Sequence, residues 1–249
     1  MSILAENSFM GDKKMQNPKI LSIDYDFFQD ATATEQVMLY PDGHDFTKAE
    51  MRNFIWERHY SNSDELIKIQ INKKLIAEML LILSKQNKDI PVIIRNSHVF
   101  AYQTAMFLHE ATQIKPDVYN VDMHHDMFNE GGMKGKVDCG NWLLTAKTER
   151  YVNDITWIGR TASKELCPVN TLSVKPDMII YDDLNLIKDM KFDAIFMCRS
   201  DMWTPPHLDE HFHQLLTFCK KRFKNIDIEN DIKEPRPKSI FLKHNFSQS

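Results

Sequence analysis

Glycine is scarce in this sequence. Seven glycines among 249 residues leave little material for a phosphate-cradling loop, and the one cluster, EGGMKG at 130–135, does not follow a strand as such a loop must. The cysteines Cys139, Cys167, Cys198 and Cys219 are widely spaced and form no CxxC pair. That excludes a disulfide scaffold, disfavours a thiolate zinc site and implies a reducing, cytoplasmic setting. No apolar run reaches membrane-spanning length. The longest, LIAEMLLIL, is interrupted by Glu78 and flanked by lysines. The opening stretch, MSILAENSFMGDKKMQ, has no apolar core of signal-peptide length. Charge of one sign is not in excess either: 31 basic against 35 acidic residues give a net charge of −4, so no electrostatic case exists for nucleic acid as a partner.

What is present is an alternation of apolar runs and helical patterns. KILSIDYDFF (19–28), DIPVIIRNSH (89–98), DVYNVDMHH (117–125), NDITWIGR (153–160), DMIIYDD (177–183) and FDAIFMCRS (192–200) read as strands. TKAEMRNFIWERHY (47–60), residues 63–86, FAYQTAMFLHEATQ (100–113), NWLLTAKTERY (141–151) and residues 207–224 show helical spacing, with Asp138 or Asn141 able to cap the fourth. The pattern predicts a three-layer α/β/α fold with a mostly parallel central sheet. No repeat or low-complexity linker divides the chain, so a single domain over 1–249 is expected, with 1–17 and 226–249 peripheral.

In such sheets ligands bind at the carboxyl ends of the strands. Three of the runs end there in ionisable residues: Asp24 and Asp26; His98; and Asp122, His124 and Asp126. Alternation along an extended strand would point Asp122, His124 and Asp126 one way and Met123 and His125 the other, and would align Asp24 with Asp26. Four carboxylates converging on one sheet edge repel, and burial raises their pKa values. A divalent cation removes the conflict. A set of oxygen and nitrogen ligands without thiolate suits Mn²⁺, Mg²⁺ or Fe²⁺, and the number of carboxylates suits two ions. A DxD pair alone usually marks a turn, and a lone histidine after a strand is usually packed. Three ligand types at period two have few structural uses. His125 reads as packing, and His211 and His213 read as surface.

VDMHHD at 121–126 resembles the metal-binding strand of the arginase-like ureohydrolases, where Asp-x-His-x-Asp serves a dimanganese pair. His98, twenty-four residues before Asp122, matches the family's upstream histidine. The family's second Asp-x-Asp pair lies C-terminal to that strand in arginases, whereas here the match, LSIDYDFF, comes first. That order, together with DCGNW (138–142) and RSDMWTPPHLD (199–209), resembles the peptide arginases, which convert arginine to ornithine in ribosomally made precursor peptides. The resemblance implies two Mn²⁺ ions, or Fe²⁺ or another divalent cation in their place. Asp122 and Asp24 would bridge them, His98 and Asp126 would complete one site, and His124 and Asp26 the other. It implies Asp26 or Asp126 as the catalytic acid, an arginine-containing precursor peptide as partner, and a homo-oligomer, since arginases often assemble.

The sequence departs from arginases in two places. The region after Asp126 holds no histidine for the family's proton shuttle. Cys139 and Asp138 lie nearest, and His44 in PDGHDF is a substitute from elsewhere. No counterpart appears for the groups that grip the charged ends of free arginine, which agrees with a peptide substrate. Asp201 follows Arg199, which stands where a second paired carboxylate would be needed. Asp201 is read as a partner of the substrate guanidinium or, equally, as a helix cap or turn. Three rival readings stay open: a one-metal deacetylase of the same fold, a two-metal phosphoesterase using Arg95, Arg160 and Arg199, and a non-enzymatic peptide-binding relative.

Overall fold

A computed structural model describes residues 16–41, 48–129 and 136–242. His44 and the stretch EGGMKG lie outside the described residues. Seven strands form one sheet: β1 (Lys19–Asp24), β2 (Pro91–Arg95), β3 (Asp117–Val121), β4 (Ile155–Gly159), β5 (Met178–Tyr181), β6 (Ala194–Cys198) and β7 (Asn225–Ile228). Their order is β5-β4-β3-β1-β6-β2-β7, and every pairing is parallel. Parallel neighbours need crossover connections. The helices α1 (Ala33–Leu39), α2 (Ala49–Asn62), α3 (Lys73–Ser84), α4 (Phe100–Thr112), α5 (Trp142–Thr148), α6 (Ser163–Leu166), α7 (Asp209–Arg222) and α8 (Ser239–Leu242) lie among them.

The strands β1, β4 and β6 are buried on both faces, which is why they read as nearly continuous apolar runs. Along β6, Ile195 and Met197 join one apolar cluster with Leu75, Met79 and Leu83 of α3 and Phe212, Leu215 and Leu216 of α7. Ala194, Phe196 and Cys198 join a second with Ala101 and Ala105 of α4 and Trp142, Leu143 and Ala146 of α5. The molecule is therefore the expected α/β/α sandwich. The central strands β3, β1, β6 and β2 deliver four carboxyl-terminal ends to one edge.

The elements differ from the sequence expectation in four places. Residues 63–86 are not one helix: Ile71 makes an antiparallel bridge to Gln29, and Asn72 then caps α3 by accepting from the Leu75 amide at 3.2 Å. Helix α1 was not anticipated, although Thr32 and Glu35 carry the capping-box spacing and form both of its bonds. The chain after Asn225 is not peripheral, because β7 pairs with β2 and Arg236 is buried. Finally, β3 ends at Val121 and β1 at Asp24, so the period-two alignment of the acidic motifs does not extend through them.

Candidate metal centre

Turns, rather than continued strands, aim the acidic motifs. Asp24 ends β1, and its carboxylate accepts the Asp26 amide at 3.1 Å, closing a 3-10 turn over Tyr25–Phe28 that swings Asp26 inward. Asp122 repeats the device after β3, accepting the His124 amide at 2.8 Å. Asp126 has φ of 53°, an uncommon conformation for a non-glycine residue that costs about 1 kcal/mol or more. Helix α5 holds it there. The Leu143 and Leu144 amides, unsatisfied within the helix's first turn, donate to the Asp126 carbonyl at 3.1 and 3.4 Å, and the Trp142 indole donates to Asp126 Oδ2 at 2.5 Å. Asn141, expected to cap this helix, instead accepts the Asp138 amide.

These turns bring Asp24, Asp26, His98, Asp122, His124 and Asp126 together. Two triads share one residue: His98, Asp122 and Asp126 form one, and Asp26, Asp122 and His124 the other, each with ligand atoms mutually within 4.8 Å. Asp24 joins His98 and Cys198 in a third grouping. All four carboxylates are at most 3% exposed. His98 Nδ1 lies 2.9, 3.1 and 3.3 Å from oxygens of Asp126, Asp122 and Asp24. Its other nitrogen sits 2.7 Å from the Ser22 hydroxyl, which fixes the ring. His124 Nδ1 is 2.9 Å from Asp26 Oδ2.

Burial and mutual repulsion set the protonation of this cluster. Desolvation, then the charges of Asp126 and Asp24, push Asp122 up to about 7. Desolvation also raises Asp126, and with Asp24 and Asp122 it raises Asp26 well above the carboxylate range. Burial opposes the charge on Asp24 too, but His98 outweighs it and holds Asp24 low. Burial works against charged imidazoles, yet the carboxylates around His98 lift it well above its ordinary value, and Asp26 lifts His124 to about 9. Protons on the two histidines thus balance part of the carboxylate charge when no cation does.

The residues fit a divalent cation. His98 Nδ1 and Asp26 Oδ2 are buried without a well-aligned hydrogen bond, both facing the cluster, where a cation would satisfy them. The other nitrogen of His98 is held by a hydroxyl and Asp126 by an indole, as supported ligands are.

The cluster floors a cavity of about 250 Å³. Asp24, His98, His124 and Asp126 line its base, and Val37, Tyr40, Pro41, Phe128, Leu166 and Trp203 its walls. Neither lysine nor arginine is among the described lining residues. The three arginines near strand ends are engaged elsewhere: Arg95 with Asp227, Arg160 with Asp182 and Asp30, and Arg199 with Asp201.

Asp201 does not line the cavity. Arg199 grips it through two bonds of 2.6 and 3.1 Å, and Arg52 approaches at 3.2 Å, so its carboxylate is committed to internal guanidinium groups rather than to a substrate's. His125 packs against Phe128 and Trp157, as expected, while His211 and His213 are half-buried rather than surface residues. Cys139 lines the cavity and Asp138 does not. Trp203 lines the cavity, whereas Trp56 belongs to the core.

Several residues escaped the sequence reading. Ser200, at φ 56°, donates to Asp24 at 2.9 Å, and Trp203 packs on His124 with ring centroids 4.8 Å apart. Both lie in RSDMWTPPHLD, which had been singled out as a stretch only. Gln36 and Tyr40 reach the cavity from α1, whose capping box was the available signal. Compared with family models, curated proteins and solved structures, the chain finds no match.

Proposed function

We propose that this chain is a two-metal hydrolase that cleaves the guanidinium group of peptidyl arginine, giving ornithine and urea in a ribosomally made precursor peptide, with Mn²⁺ as the resident ion. One observation carries the reading: two ligand triads sharing Asp122 beneath a cavity with apolar walls and neither lysine nor arginine among its described lining residues. The walls suit the aliphatic arm of arginine and the acidic floor its charged head. That described lining favours a cationic head over a phosphoester, whose charge would need lysine or arginine. The guanidinium substrate itself is inferred from the sequence resemblance.

His98, Asp122 and Asp126 would hold one ion, and Asp26, Asp122 and His124 the other, with Asp24 beside them. Such ions supply a Lewis acid and a bound water acidic enough to yield hydroxide near neutral pH. The reaction adds water across the Nε–Cζ bond of arginine: oxygen joins Cζ, the bond to Nε breaks, and Nε takes a proton. Asp126 is the better placed of the two candidate acids, because it lines the cavity and Asp26 does not. Tyr40, Phe128 and Trp203 exclude water from around the reacting group. A cytoplasmic setting goes with this reading, in keeping with the buried thiols of Cys167 and Cys219. No described helix is long and apolar enough to cross a membrane.

The test is to load the protein with Mn²⁺, count the metal by elemental analysis, and supply free arginine and arginine-containing peptides in separate assays. Two ions per chain, with urea and loss of CN₂H₂ per modified arginine from the peptides, is the expected result. Asp122→Ala should lose both ions and all urea release. A single tight zinc with no urea would overturn the reading in favour of a deacetylase.

A further inference from the structure

We propose that Gln36 is a specificity-determining residue of this cavity, its side-chain amide donating to a main-chain carbonyl oxygen of the peptide beside the reacting arginine. The proposal rests on the peptidyl-arginine reading above. Gln36 lines the cavity, is only 5% exposed, and its amide nitrogen has no hydrogen-bond partner among the described residues. The other buried glutamines show how unusual that is. The amide of Gln29 donates to the Trp203 carbonyl at 2.9 Å and to Thr204 at 3.3 Å, and that of Gln86 donates to the Ile82 and Met190 carbonyls, each at 3.0 Å. A buried donor left open toward a cavity calls for an acceptor in the ligand.

The position is fixed. Thr32 and Glu35 cap the start of α1, and Tyr40 at its end donates to the Gln29 side chain, which in turn holds the segment bearing Trp203. The chemistry of the acceptor follows from the surroundings. A guanidinium offers only donors, so the Gln36 amide N–H cannot pair with the reacting group. An α-carboxylate could accept, but it would add a negative charge to a cavity already floored by carboxylates, with neither lysine nor arginine among its described lining residues. A neutral peptide carbonyl accepts without that conflict. Val37 and Met38 are 71% and 73% exposed beside Gln36, and Val37 lines the cavity, so an apolar shelf lies where the flanking peptide would leave.

Nα-acetyl-arginine N-methylamide carries both main-chain carbonyls, and free arginine carries none flanked by amides. Their urea release and their calorimetric binding to the Mn²⁺-loaded protein are compared for wild type, Gln36→Met and Gln36→Glu, with metal content measured throughout. Wild type should prefer the capped compound. Gln36→Met, similar in size without the donor, should raise KM and weaken binding of the capped compound by about five- to tenfold, the worth of one neutral hydrogen bond, with little change for free arginine and with both ions retained. Gln36→Glu, which sets a carboxylate against the carbonyl, should lose more. Unchanged binding and KM for the capped compound in both variants, while wild type turns it over, would overturn the role of Gln36 alone. No urea and no binding in wild type would overturn the parent reading with it.

Discussion

Trp142 is the residue on which the proposed ligand set most depends without belonging to it. Its indole donates to Asp126 Oδ2 at 2.5 Å, and its ring lies against His98 with centroids 5.2 Å apart, so one side chain orients two neighbours in the same triad. Supporting hydrogen bonds of this kind are worth about 10–100-fold in metal affinity. Trp142→Phe should keep the apolar packing and weaken Mn²⁺ binding within that range, read by titration against a chelator of known affinity. An unchanged affinity would mean that α5 and the backbone hold Asp126 alone. Ser22→Ala should act similarly through His98, since the Ser22 hydroxyl is the partner that fixes the ring from behind. At this scale the sequence was informative about which side chains gather, because Asp, His and Asp at close spacing have few structural uses. It was silent about Trp142, Ser22 and Ser200, whose parts depend on distances between segments far apart in the chain.

The elements repeat that division. The strands β1 to β6 are legible as short apolar runs, which in β1, β4 and β6 follow from burial on both faces. β7 was not, since four residues alternating Asn, Ile, Asp and Ile at a sheet edge give too short a pattern. Nor was the way the tail docks. Asp201, Arg199, Asp209 and Arg236 form a buried chain of ion pairs, with Arg236 donating to Asp209 at 2.6 and 2.9 Å and to the Asp201 and Thr204 carbonyls at 2.7 and 2.6 Å. The tail thus clamps the loop after β6 that presents Ser200 and Trp203 to the site. Removing one partner of a buried pair leaves an uncompensated charge, at about 3–5 kcal/mol. Arg236→Ala should therefore lower the melting temperature by at least about 6 °C, at roughly 2–4 °C per kcal/mol for a chain of this size. It should also weaken Mn²⁺ binding. Lys238→Ala breaks only an exposed pair with Glu210, both side chains being 63% exposed, and should leave the melting temperature nearly unchanged. Equal effects of the two substitutions would mean that the buried chain does not fasten the tail.

For the molecule as a whole, gathering these carboxylates makes the metal-free fold depend on protons. Asp122 stands at about 7 and His124 at about 9, with Asp26, Asp126 and His98 also raised. Unfolded, these groups return to about 4 for Asp and about 6.5 for His. The folded state therefore binds more protons than the unfolded one, and stability falls as pH rises. Asp122 contributes a loss between about pH 4 and 7, and His124 a further loss between about pH 6.5 and 9. Asp24, held low, acts in the opposite sense, and only at the acid end. A bound cation reverses the trend, because it must displace the histidine protons and so binds more tightly as pH rises. At a free Mn²⁺ concentration of about 100 times its Kd, the stabilisation is about 2.7 kcal/mol. His125, which burial and then His124 hold at about 4, acts against the decline up to about pH 6.5. Calorimetric melting from about pH 6.5 to pH 8.5 should thus show the metal-free protein losing stability, and the Mn²⁺-loaded protein diverging upward from it. Asp122→Asn, which removes one buried charge, should flatten the first part of the metal-free decline and narrow the gap that Mn²⁺ opens. A metal-free melting temperature independent of pH, or a gap that closes toward alkaline pH, would mean that the cluster is held together by something other than shared protons and cations.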